Sequence, residues 1–314
     1  MSRSDLPCVT IVILNYQRRD TLCRTVAIAR GQEYPNYEVL VVDNASTDGS
    51  GDMVEALFPD VRLVRLPVNI GCAARNHGVA AARGEIVVTI DNDVLLTSPS
   101  DLRTVVELFR QHPSMACINF RILNAAGHLS RRDWCHPRRW SDAANEQFLT
   151  DYVLEGASAF RRRAFEKVGG YWAPLFIGHE GLDLAFRLLD AGYDLLYTPD
   201  VSVIHLVSAT ARPSSRIYYT FTRNCLWVAL RNHRPLAAAQ AILSDVALMA
   251  FSSGRARHWG SFFHGLWDGL VGIPQALSAR SPLRMNTYDR LKAIRASEPT
   301  VIEKLRRHWR EQPI

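Results

Sequence analysis

Apolar residues in the first hundred positions come in short runs, crossed by charge only at Glu38, Arg62 and Arg65. Val9 to Leu14, Tyr37 to Val42, Val61 to Leu66 and Ile86 to Ile90 are such runs. They are rich in β-branched residues and lack polar alternation, as suits strands buried on both faces of a parallel sheet. Between them, Asp20 to Arg30, Gly49 to Phe58 and Cys72 to Ala82 are spaced as helices. The alternation predicts an α/β fold, an open and mostly parallel sheet covered by helices, with ligands beyond the carboxyl ends of the strands.

After Asp93 the alternation loosens. A helix is predicted near Asp101 to His112, and strands near Met115 to Ile122 and Tyr152 to Phe160. The Arg/Trp-rich stretch Arg131 to Trp140 between those strands reads as a surface loop able to order over a ligand. A helix from Glu180 to Ala191 is stopped by Gly192 and followed by short strands at Asp194 to Tyr197 and Val201 to Ile204, with His205 just past the second. From Pro235 the chain turns to Ala/Leu-rich helices, Leu236 to Phe251 and Phe262 to Leu277, and then to a basic tail. These apolar stretches, interrupted by Asp245 and Asp268, read as too short to cross a bilayer of ~30 Å. The expected organisation is a domain over residues 1–234, in two halves that divide near residue 98. A helical, basic extension then covers residues 235–314.

With 314 residues, 47% of them hydrophobic and 22% charged, the chain can bury a large core. Its net charge of +6 suits phosphorylated ligands or an anionic membrane as readily as nucleic acid. Charge alone does not choose among them, and no nucleic-acid partner is expected. The six cysteines are scattered, with no Cys-x-x-Cys pair and no His/Cys grouping for zinc. Together with a short polar start, Met1 to Pro7, this predicts a cytoplasmic protein.

The predicted strand ends carry Asn15-Tyr16, Asp43-Asn44 and Asp91-Asn92-Asp93. One such group alone is an ordinary helix cap, but three on one edge point to a site. Two Asp residues one apart at a strand end can hold ribose hydroxyls with one carboxylate and a divalent cation with the other, leaving metal positions open for phosphate oxygens. No Gly-x-Gly-x-x-Gly follows the first strand and no phosphate-binding loop with Gly-Lys-Ser/Thr is present, which argues against a nicotinamide oxidoreductase or an NTPase. A nucleotidyltransferase would carry a Gly-rich basic loop after the first strand, and residues 15–19 contain no glycine.

The runs VTIVILNY, VVDNASTDGS, NIGCAARNHGVAAARGEIVVTIDND, GHEGLDLAFRLLDAGYDLLYTPDVSVIH and YYTFTRN resemble, in order, the motifs of family 2 glycosyltransferases of the GT-A fold. Among these the likeness is to bacterial rhamnosyltransferase-like and galactofuranosyltransferase-like enzymes of cell-surface polysaccharide synthesis. The resemblance implies transfer of a sugar, with inversion, from a nucleoside-diphosphate sugar to a hydroxyl of a glycan or lipid-linked acceptor. It also implies a divalent metal, Mg²⁺ or Mn²⁺. Asn15 and Tyr16 would border the base, Asp43 would bond it, and Arg75 would approach base or diphosphate. Asp91 would bind ribose, and Asp93, with Asp91 and His205, the metal.

Arg223 interrupts the apolar face of IYYTFTRNCLWVAL, where a guanidinium can clamp a diphosphate or form an ordinary salt bridge. Glu180 and Asp183 stand one turn apart at a helix start and can point to the same side. Members of the family commonly read Glu-Asp where this chain has Glu180-Gly181. The base is therefore expected on Glu180, with Asp183 positioning the acceptor or stabilising the helix. A degenerate, non-catalytic binding module is the alternative that Gly181 supports. The span Arg280 to Arg310, with nine Lys/Arg against three Asp/Glu, favours peripheral contact with anionic lipid.

Overall fold

The four early apolar runs form β1 (Val9–Asn15), β2 (Tyr37–Asp43), β3 (Arg62–Arg65) and β4 (Ile86–Asp91), connected through α1 (Arg19–Ala29), α2 (Ser50–Leu57) and α3 (Ala74–Ala81). They pair in parallel in the order β3-β2-β1-β4. The chain is seen in a computed structural model that describes residues 6–206 and 214–298.

The second half consists of β5 (Val94–Leu96), α4 (Asp101–Gln111), β6 (Met115–Leu123), α5 (Trp140–Ala143), β7 (Phe148–Leu149), β8 (Ala157–Arg161), α6 (Arg162–Lys167), α7 (Glu180–Asp190) and β9 (Asp194–His205). Here the sheet becomes mixed. β8 runs antiparallel to both β4 and β6, β6 is parallel to β9, and β5 and β7 each pair antiparallel with β9. Successive residues of β1 supply opposite faces, as the strand period of two requires. Ile11 and Ile13 join Leu22, Val26 and Leu102, whereas Val12 joins Val79, Leu184 and Leu226.

Several boundaries differ from the sequence expectation. The strand expected over Tyr152 to Phe160 begins only at Ala157, leaving Tyr152 to Gly156 as a connection at the sheet edge. The two strands expected between Asp194 and Ile204 are one irregular strand, and His205 is its last residue, opposite Val94. The stretch Arg131 to Trp140 is not wholly a surface loop. His136 is buried, and Trp134, His136, Phe148 and Tyr197 pack ring against ring, with centroids 4.7 to 6.1 Å apart. All six cysteines are free thiols.

The C-terminal helices are α8 (Ser214–Asn232), α9 (Pro235–Arg255), α10 (Trp259–Val271), α11 (Ile273–Ser278) and α12 (Met285–Ile294). The predicted helix over Phe262 to Leu277 is broken at Gly272, with Pro274 in the first turn of α11. The length expectation is corrected at α9, which runs for 21 residues with a mean hydropathy of 1.5 and only 11% of its apolar window buried. By length and composition it can cross a membrane. The expectation failed because the helix extends past Phe251 through small residues, Ser252 to Gly254, that prolong it without breaking its apolar character. The basic tail expected to run to Arg310 lies outside the described residues beyond position 298.

Candidate active site

The carboxyl ends of the parallel strands meet in register, Asn15 beside Asp43 and Leu14 beside Asp91. Asn15 is fully buried. Its amide nitrogen donates to Asp43 Oδ1 at 3.0 Å, Ser46 Oγ at 3.0 Å and Ser50 Oγ at 2.9 Å, while its Oδ1 accepts from Asn92 Nδ2 at 2.8 Å. With its hydrogen-bonding capacity engaged internally, Asn15 orients Asp43 and the two flanking loops and leaves Tyr16, 46% exposed, to meet a ligand. The Asn15 side chain thus supports the strand end on which the base was expected to lie.

Asp91 and Arg75 form an ion pair, and Arg75 is also 3.2 Å from Cys72 Sγ. Burial works against the Arg75 charge, but Asp91, Cys72, Tyr171 and Glu155 together outweigh it and raise the guanidinium above its ordinary value. The donor edge therefore carries a fixed positive charge beside an acid.

Asp93 is buried and pairs with Arg18, which stands in a left-handed backbone conformation, φ 64°, after Gln17 at φ 60°. His205 Nε2 lies 3.7 Å from Asp93 Oδ2, and His205 Nδ1 lies 3.0 Å from Asp133 Oδ2. Burial raises the Asp133 carboxyl, but hydrogen bonds from His205 and Ser130 prevail and hold it below the usual range. Asp133 was not among the expected site residues. It lies in the Arg/Trp-rich stretch, where its acid is one polar residue among many.

Asp93 and His205 offer one oxygen and one imidazole nitrogen, a set that fits Mg²⁺ or Mn²⁺ once phosphate oxygens complete the shell. Among the described residues no group of three or more His, Cys, Asp or Glu side chains could hold an ion alone. Asp91, expected to share the ion, is paired with Arg75. Arg18 supplies the positive charge at Asp93 where a cation would otherwise do so.

The acceptor side is built on α7. Glu180 is its first residue, after the left-handed pair Gly178 and His179, and is 6% exposed. Glu155 faces it from the connection before β8. Burial, followed by the Glu180 charge, pushes the Glu155 carboxyl well above its ordinary value, against the opposing pull of Arg75. Glu155 is the second residue that the sequence reading missed, because it lay in a predicted strand.

Two expected residues are engaged within the fold. Asp183 is fully buried and bonds Arg187 Nη2 at 2.7 Å, Arg231, and Asn232 Nδ2 at 2.8 Å. Both of its oxygens are occupied within the core, the arrangement that the helix-stabilising expectation for Asp183 calls for. The Arg223 guanidinium donates to the carbonyls of Pro174 at 3.2 Å and Leu175 at 2.9 Å and lies over the Trp227 ring at 4.5 Å. It holds the loop leading to Glu180. The neighbouring Asn224 bonds the carbonyls of Leu175, Ile177 and Gly178.

A mixed sheet with a parallel first half, acids at its strand ends and a helix-borne carboxylate on α7 has the GT-A class of fold. Residues 10–169 match the family described as Glycosyl transferase family 2, and the chain belongs to that family. The succinoglycan biosynthesis protein ExoO of Rhizobium meliloti is 39% identical over 104 residues, 32% of this chain and 30% of that protein. The putative teichuronic acid biosynthesis glycosyltransferase TuaG of Bacillus subtilis is 34% identical over 91 residues, 28% of this chain and 36% of that protein. The chain thus spans about a third of the length of these two relatives. The fold is shared with the mannosyltransferase PcManGT of Pyrobaculum calidifontis, solved with GDP-Man and Mn²⁺. That structure superposes with a TM-score of 0.57 at 20% identity, covering 98% of this chain and 84% of that one. For S. aureus TarS 1-349 the TM-score is 0.58 at 16% identity, with 96% and 91% covered.

Proposed function

We propose that the protein transfers a sugar from a nucleoside-diphosphate sugar to a hydroxyl of a glycan or lipid-linked acceptor, with inversion, in the synthesis of a cell-surface polysaccharide. The observation that carries this reading is the convergence of Asp43, Asp91 and Asp93 from the strand ends, and His205 from β9, at the carboxyl edge of the sheet. Exposed Tyr16 stacks on the base and Asp43 bonds it. Arg75, held by Asp91, faces ribose and diphosphate.

Asp93 and His205 would hold Mg²⁺ or Mn²⁺, which supplies positive charge for the departing diphosphate. Arg18 is the cation paired with the Asp93 carboxylate. The acceptor oxygen forms its bond to the anomeric carbon as the carbon–diphosphate bond breaks, and a carboxylate of the Glu155/Glu180 wall takes the proton. A thermal-shift screen against UDP-, GDP- and dTDP-sugars tests this reading. A donor that binds the native state raises the melting temperature, and no shift with any of them, with or without Mn²⁺, contradicts it.

The same proposal divides the chain into a catalytic part, residues 1–234, and a helical extension that meets the cytoplasmic face of a membrane. Trp259, Phe263, Trp267 and Val271 recur every four residues along α10 and are 46%, 59%, 66% and 62% exposed, a stripe of the kind that enters the lipid interface.

A further inference from the structure

Gly181 lies inside α7, so its backbone conformation does not require glycine. The space around it does. A Cβ at this position would overlap the Val153 carbonyl oxygen and Glu155 Oε1, and would stand 3.0 Å from Glu155 Cδ. The Gly181 N–H donates to the Glu155 carboxylate. An acidic side chain grown from position 181 and the Glu155 carboxylate would thus claim the same space, and this chain fills it with Glu155.

The placement is tight on the other side as well. A Cβ on Gly156 would stand 2.6 Å from Asp91 Cγ, so the chain after Glu155 runs directly against the acid of the donor edge. Glu155 therefore lies between Asp91 and Glu180. Among the described residues no Lys or Arg forms an ion pair with it, in contrast to Asp91, Asp93, Asp151 and Asp183, each of which has an arginine. Glu155 is half-buried.

We infer that Glu155, reaching α7 from the connection before β8, is the general base of the transfer, supplied from a different part of the chain to the place that position 181 leaves empty. The acceptor O–H proton passes to a Glu155 carboxylate oxygen as the acceptor oxygen bonds the anomeric carbon, and the electron pair of the broken carbon–oxygen bond leaves with the diphosphate. Glu180 faces the same acceptor hydroxyls and orients them. Burial first, and then the neighbouring Glu180, raise the proton affinity of the Glu155 carboxyl. The inference rests on the transferase reading above and deepens it.

The test is steady-state transfer by the full chain with Mn²⁺, UDP-, GDP- and dTDP-hexoses and a synthetic polyprenyl-diphosphate sugar as acceptor. Melting temperature and donor affinity are measured alongside. Glu155→Gln keeps the acceptor for the Gly181 N–H and removes the basicity. It should lower kcat by about 10² to 10⁴, with donor affinity and melting temperature near wild type and the acid limb of the pH–rate profile lost. Glu180→Gln should raise the acceptor KM more than it lowers kcat, and keep that limb. Glu155→Gln at wild-type kcat with Glu180→Gln inactive overturns the inference and leaves the transferase reading standing. A wild-type protein that releases no nucleoside diphosphate from any of these donors overturns both.

Discussion

His205 and Asp133 face each other across 3.0 Å, Nδ1 to Oδ2, and this pairing leaves Nε2 directed at Asp93. A carboxylate at Nδ1 is the arrangement by which acids outside a metal shell orient a ligating imidazole. Asp133 also accepts from Ser130 Oγ at 2.6 Å, so the acid itself is oriented. Asp133→Asn should therefore weaken the Mn²⁺ activation constant by about 10- to 100-fold with little change in donor binding without metal. Titration of activity with Mn²⁺ checks this, and an unchanged constant removes Asp133 from the account.

Asp183 is the anchor of an internal ion network. Removing its carboxylate leaves Arg187 and Arg231 without their acid inside the core, a loss on the order of 3 to 5 kcal/mol. Asp183→Ala should accordingly show a much lower urea midpoint. At a temperature where it remains folded, it should retain donor affinity. A stable but inactive variant would return Asp183 to the catalytic machinery.

Burial pushes His136 down to about 3 from its ordinary 6.5, so the folded chain holds the neutral ring, which contacts Thr150 Oγ1 at 2.8 Å. The unfolded chain takes up a proton between these values and the folded one does not. The contribution is thus complete above pH 6.5 and is lost as pH falls toward 3. Near pH 5 the loss reaches about 2 kcal/mol. Urea unfolding of wild type and His136→Phe at neutral pH and near pH 5 should show a steeper decline for wild type, and parallel declines would contradict the assignment.

The parallel half of the sheet was legible because three of its four strands are apolar runs ending in polar residues, and those endings placed Asp43, Asp91 and Asp93 on one edge. The support that Asn15 gives was not legible, because a polar residue at a strand end looks the same whether it touches a ligand or supports a neighbour. Only the bonds to Asp43, Ser46 and Ser50 separate the two. The same holds for Arg223, since helical spacing cannot reveal that its partners are the carbonyls of Pro174 and Leu175. Glu155 stayed hidden because its meaning depends on a glycine 26 positions later in the chain. The change at Gly181 was visible, but its compensation is a contact in space.

The central claim, a metal-assisted transfer at the carboxyl edge of the sheet, rests most directly on Asp93. Release of nucleoside diphosphate by the full chain, measured with saturating Mn²⁺ for wild type and Asp93→Ala, tests it in one assay. The account predicts Mn²⁺-dependent turnover in wild type, abolished by chelation. In the variant it predicts a loss of at least about 10²-fold at an unchanged melting temperature, because the developing diphosphate charge is no longer met. Wild-type turnover in Asp93→Ala, or turnover indifferent to chelation, would contradict it.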